Sequence, residues 1–123
     1  MDASIVKQDL NKEFYISERC HITEIVNSSD DPSVSIARAR VEPGVTTRWH
    51  KLTRITERYY ILSGEGTVEV GELKPEVVKS GDVVLIPPLC RQRISNTGTE
   101  DLIFLAICSP RFTDDCYIDD ERP

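Results

Sequence analysis

GVTTRWHKLTRITERYYILSG, residues 44–64, holds His50, one of only two histidines in the chain, seven residues ahead of Glu57 and between two glycines. The stretch reads as strand, short loop, strand and glycine turn. Side chains on a strand alternate faces, so residues two apart share a face. His50 and Leu52 therefore point one way. Glu57, Tyr59 and Ile61 share a parity on the next strand. A histidine and a carboxylate brought together in this manner suggest an inward-facing polar site, and a metal ion bound there needs further donors from elsewhere in the chain.

Outward from this stretch, turn signals recur every 8–12 residues: NSSDDPS (27–33), EPG (42–44), SGEG (63–66), GELKPE (71–76), KSGD (79–82), IPPL (86–89) and NTGTED (96–101). Short β-rich runs lie between them, among them SVSIARARV, RYYIL, TVEV, DVVLI, QRIS and LIFLAIC. Such spacing predicts an all-β antiparallel sandwich or barrel. Helix is expected only in the first dozen residues and in the tail. The 123 residues fit one domain, and no linker, repeat or low-complexity tract interrupts them. The last ten residues, DDCYIDDERP, carry five acids and read as a solvated or loosely docked tail.

Composition narrows the function. A net charge of −6 argues against nucleic acid, whose binding rests on cationic contacts to phosphate. The longest apolar runs fall well short of the roughly 20 residues of a membrane helix. The N-terminus has an acid at position 2 and no apolar stretch, unlike a secretory leader. Four scattered cysteines without a CxxC pair predict free thiols and a cytoplasmic location.

A second stretch completes the pattern: GDVVLIPPLCRQRISN, residues 81–96. The two together resemble the motifs of the cupin family, G(X)5HXH(X)3–4E(X)6G and G(X)5PXG(X)2H(X)3N. Gly44, His50, Glu57 and Gly64 match the first at every spacing, with Leu52 where the family has its second histidine. Gly81, Pro87 and Asn96 match the second, with Leu89 in place of glycine and Gln92 in place of histidine. The resemblance implies one cupin domain over residues 1–123, a double-stranded β-helix or jelly-roll barrel. It also implies a divalent metal (Mn, Fe, Zn or Ni) held by His50, Glu57 and Gln92. One imidazole, one carboxylate and one amide oxygen make a harder, weaker donor set than three histidines and a glutamate.

Residues 48–58 and 91–93 hold six basic residues (Arg48, Lys51, Arg54, Arg58, Arg91 and Arg93) against one acid, Glu57. A cationic cluster near the site predicts an anionic or strongly oxygenated small-molecule ligand. Arg48 shares the parity of His50 and is the arginine expected to reach the pocket; Tyr59 is expected to line it and move a proton. The resulting expectation is a metal-dependent enzyme, a dioxygenase, decarboxylase, isomerase or lyase, with catalytic Arg48 and Tyr59. The alternative is the same barrel binding a small molecule without metal or chemistry. By analogy with the family, a homodimer is expected, with residues 13–26 pairing across it. His21 reads as a surface or edge-strand residue.

Overall fold

The structure, a computed structural model, describes residues 1–121; Arg122 and Pro123 lie outside the described residues. Eleven strands are formed among them: β1 (Phe14–Ile16), β2 (Cys20–Val26), β3 (Ser35–Val41), β4 (His50–Leu52), β5 (Thr56–Ser63), β6 (Glu65–Val70), β7 (Glu76–Lys79), β8 (Val83–Ile86), β9 (Gln92–Asn96), β10 (Leu102–Ser109) and β11 (Tyr117–Asp119). They make two antiparallel sheets, in the orders β1-β2-β3-β10-β5-β8 and β11-β4-β9-β6-β7. The chain crosses between sheets at Gly64, between β5 and β6. Its φ is +85°, and a Cβ there would stand 2.5 Å from the Asp101 carbonyl oxygen, so only glycine fits. Asn96 ties the same end together, its amide donating to the carbonyls of Val41 and Glu100 at 2.8 Å each.

Side-chain size divides the barrel interior into a filled end and a hollow end. At the filled end Val41, Ile61, Ile94 and Leu102 are completely buried against one another and Val68. Burying each isoleucine or leucine contributes about 2 kcal/mol. At the other end the inward positions of β3 are Ser35, Ala37 and Ala39, and β10 sets Ala106 opposite Ala37 and Phe104 opposite Ala39. Side chains this small cannot meet across a barrel. The space they leave is a cavity of about 370 Å3. The alternation in SVSIARARV thus decides where a ligand can sit. Its other face, Arg38 and Arg40, points outward to Glu13.

Two expectations change. The first dozen residues hold one 3-10 turn, Leu10–Lys12, whose Asp9 cap accepts from the Asn11 amide at 3.0 Å, and no longer helix. They offer no apolar face for a helix to bury. The tail is a strand, not a loose end: β11 pairs with β4, and Asp119, Asp120 and Glu121 face Arg48, Arg91 and Arg19 at 3.1, 3.0 and 3.1 Å. Residues 13–26 pair within the chain, β1 on β2 and β2 on β3. Leu89, at the family's glycine position, keeps the glycine's left-handed backbone at φ +63° while its side chain lies in solvent.

Candidate functional site

Strand register brings the motif residues to one place. His50 on β4 is the direct cross-strand partner of Gln92 on β9, so both side chains leave the same face of the five-stranded sheet. Glu57 and Tyr59 face them from β5. All four are buried, at 3%, 0%, 7% and 3% exposure for His50, Gln92, Glu57 and Tyr59. Parity continues through them: Lys51, Arg93 and Tyr60 are turned outward or half-exposed.

These groups satisfy one another in a chain. The Tyr59 hydroxyl donates to Gln92 Oε1. Gln92 Nε2 donates to Glu57 Oε1 at 2.8 Å, and the Cys108 thiol points at Glu57 Oε2 from 3.7 Å. Burial pushes the Glu57 carboxyl up to about 7; His50 and the Gln92 hydrogen bond pull it back, and Glu18 adds to the rise. Burial likewise raises the Tyr59 phenol well above its ordinary value, so it stays a donor.

His50 Nδ1 lies 2.8 Å from the Arg48 carbonyl. A carbonyl only accepts, so the ring proton sits on Nδ1 and leaves Nε2 as the free nitrogen. Nε2 points at Glu18 Oε1, 3.3 Å away. The Tyr117 ring stacks on the imidazole at 5.4 Å and fixes its plane.

Glu18 is the residue that the sequence reading missed. It stands in the turn between β1 and β2, a place that ordinarily faces water. The turn is folded over the hollow end instead. Arg19 takes a left-handed backbone, φ 72°, and its guanidinium donates to the Thr46 carbonyl at 3.0 Å and to Glu121 at 3.1 Å. The Arg48 amide donates to the Glu18 carbonyl at 3.2 Å. So pinned, the turn drives the Glu18 carboxyl into the cavity, and burial raises its pKa to about 7.

The arginines do not join them. Arg48 pairs with Asp119 on the outside, and Arg54 with Asp115 in solvent. Arg91 and Arg93 lie against the two sides of Trp49, 3.8 and 4.3 Å from its centre. Among the described residues no lysine or arginine lines the cavity, whereas Glu18, Glu24, Glu57 and Asp114 do. This corrects the expectation that Arg48 reaches the pocket: β4 begins only at His50, and the irregular backbone before it does not carry strand parity back to position 48.

The side chains present do not fit a resident divalent ion. Gln92, the expected amide donor, is engaged at both ends of its carboxamide by Tyr59 and Glu57. Leu52 presents an apolar wall packed against Ile55, Cys108 and Cys116. Among the described residues no group of three or more His, Cys, Asp or Glu side chains is placed to hold a metal. What the site assembles instead is a set of exchangeable protons: two carboxyls that titrate near neutrality on either side of one imidazole.

This architecture is a double-stranded β-helix enclosing a polar-ended cavity. Residues 37–108 match the cupin domain, more than half of the chain, and the protein belongs to the cupin family. It is similar to the oxalate-binding protein of Thermotoga maritima, 39% identical over 71 residues that make up 58% of each chain. The chain spans about six tenths of the length of the curated relatives it matches. Among solved structures it superposes on a Thermotoga maritima protein described as a predicted oxalate decarboxylase, with a TM-score of 0.76, 28% identity, and coverage of 87% of this chain and 99% of that one. It also superposes on the Streptomyces nucleoside dehydratase Pac13, with a TM-score of 0.77, 18% identity, and coverage of 96% of this chain and 92% of that one. No helix among the described residues is long and apolar enough to cross a membrane.

Proposed function

We propose that this cupin is a proton-transfer enzyme, a lyase or isomerase for a small oxygenated molecule, that works without a resident metal. One observation carries the reading. Gln92, which stands where the family has a metal-binding histidine, instead links Tyr59 to Glu57 and holds the carboxyl in place beside His50. Tyr59 and Gln92 act as positioning residues. Glu57 is the base, His50 the acid, and Glu18 the group that exchanges a proton with His50 across 3.3 Å.

The chemistry balances with these groups alone. Ionised Glu57 removes a proton from a carbon next to a carbonyl, and the C–H electron pair becomes a double bond. In a lyase the hydroxyl on the neighbouring carbon leaves with the proton delivered by His50, as water. In an isomerase the proton returns to the neighbouring carbon. A base whose carboxyl burial pushes up to about 7 suits both. Pac13, of the same fold and described as a dehydratase, supports the lyase direction. The oxalate named for the Thermotoga relative fits poorly, because a dianion would meet acidic side chains and, among the described residues, no lysine or arginine in this cavity.

The test has two parts. Protein purified without chelator or metal-binding tag is expected to contain no stoichiometric metal, and its melting temperature is expected not to rise with Mn2+, Fe2+, Zn2+ or Ni2+. In D2O it is expected to wash deuterium into the carbon acid of hydroxy-carbonyl compounds, and Glu57→Gln to abolish this. A stoichiometric metal removed by His50→Ala overturns the reading.

A further inference from the structure

We infer that the molecule held in this cavity carries a protonated nitrogen, an organic ammonium group, and not the anion suggested by the count of arginines along the chain. This deepens the proton-transfer reading and rests on it for the location of the site.

Three features of the cavity point the same way. Four acidic side chains line it, Glu18 and Glu57 at the imidazole and the exposed Glu24 and Asp114 where it adjoins a second, open pocket, and among the described residues no lysine or arginine lines the cavity beside Glu18 and Glu57. Arg111 reaches only that second pocket, where Asn27 holds it at 2.8 Å. A buried carboxylate without a cation is a costly arrangement, and proteins keep such groups paired. Here, among the described residues, no lysine or arginine pairs with Glu18 or Glu57.

The Glu18 carboxyl is the specific sign of an absent partner. Glu57 has Gln92 and the Cys108 thiol; the Glu18 carboxyl meets His50 Nε2 through one oxygen, and no hydrogen bond reaches its second oxygen, Oε2, among the described residues. Its side chain is 16% exposed, and that surface opens onto the cavity. An N–H donor lying in the cavity would complete it.

The walls suit such a group. Phe14, Phe112 and Tyr117 surround the carboxylates with aromatic surface. Ring faces are negative and attract ammonium groups, most strongly where water is excluded. A carboxylate with aromatic walls favours a cation over an alcohol of the same shape, and disfavours an acid of that shape twice over. The volume of about 370 Å3 admits a compact molecule of one ring.

Fragments that differ only in charge provide the test: cyclohexylamine, cyclohexanol and cyclohexanecarboxylate, with further matched amines, alcohols and acids. Each is titrated into the full chain at pH 8 while the His50 ring is followed by NMR. The chain has only two histidines, so His21→Asn assigns the signal. Amines are expected to shift the His50 resonance and to bind about tenfold tighter than the matched alcohols, the worth of one partly screened charge pair. Carboxylates are expected to leave it unmoved. Glu18→Gln is expected to erase the amine preference, and Glu24→Gln to reduce it, each with an unchanged circular dichroism spectrum. The inference is overturned if carboxylates bind as tightly as amines, if the preference survives in both Glu18→Gln and Glu57→Gln, or if no fragment of any class perturbs His50. Should alcohols win in metal-free protein that still exchanges deuterium, the ammonium falls and proton transfer stands. Stoichiometric metal in the native protein takes down the proton-transfer reading itself.

Discussion

On the outside of the barrel arginines and carboxylates meet in pairs; in the cavity the carboxylates stand without a cation. Arg40 reaches Glu13 at 2.6 Å, Arg93 reaches Glu69 at 2.9 Å and Arg48 reaches Asp119 at 3.1 Å. Water screens these pairs, and each contributes little. Among the described residues Glu18 and Glu57 have no arginine or lysine partner, and burial raises both carboxyls to about 7, so their electrostatic cost appears as protons retained at neutral pH. The two regions show that charge counted along a strand says nothing about charge at a site until alternation has sorted it. Gln92 faces inward, while its neighbours Arg91 and Arg93 lie against Trp49 on the outer side.

The sharpest way to break this contrast is to remove an inner polar residue and an outer one and compare. Gln92→Ala leaves the Tyr59 hydroxyl and one oxygen of Glu57 unpaired in a fully buried place and opens a void beside them. Its expected cost is about 4 kcal/mol in urea denaturation. Arg93→Ala, one residue away, removes only a half-exposed pair with Glu69 and is expected to cost less than about 1 kcal/mol. Equal losses would mean that the cavity groups are solvated like the outer ones.

Next in size is the dependence on pH. The carboxyls of Glu18 and Glu57 sit at about 7 in the folded chain against 4.5 for an unperturbed glutamate. Between those values the folded state holds more protons than the unfolded one, so stability falls as pH rises from 4.5 to 7 and is level above. Each group accounts for at most about 3 kcal/mol of that fall. Glu18→Gln and Glu57→Gln are each expected to flatten the curve of melting temperature against pH over this window. A stability that rose through this window in the native chain would place both carboxylates in contact with a cation.

Much of this site was legible before any coordinates. The spacing of Gly44, His50, Glu57 and Gly64, and of Gly81, Pro87 and Asn96, carries the barrel, because turns and strand lengths are local properties. Alternation then sets His50, Glu57, Tyr59 and Gln92 inward. Two other things depend on contacts remote in sequence. Glu18 is a turn residue, and Thr46, Arg48 and Glu121, all remote in sequence, hold its turn over the cavity. The tail reads as solvated because its acids find arginines remote in sequence, Asp119 pairing with Arg48, 71 residues back, and Glu121 with Arg19, 102 residues back. Leu52 marks a lost ligand in the sequence, but that Gln92 spends both ends of its amide on neighbours is a fact of rotamers, which no spacing encodes. The hollow itself was written in SVSIARARV, where alanine and serine occupy the inward positions, yet their meaning depends on Ala106 lying opposite.

The smallest expected effect is also the most pointed. Arg48 has the parity of His50, stands two residues from it, and was the natural candidate to bind an anion. In the folded chain its carbonyl orients His50, while its guanidinium lies outside with Asp119. Arg48→Ala keeps the carbonyl and deletes only the outer group. It is therefore expected to leave amine affinity, deuterium exchange and the His50 titration curve within about twofold of the native chain, the scatter of an exposed ion pair. Glu18→Gln, whose side chain touches the same histidine from the cavity, is expected to change all three. If Arg48→Ala instead abolished binding as Glu18→Gln does, the guanidinium would have to enter the cavity in solution, and the division between a paired exterior and an uncompensated interior would fail at the residue where it matters most.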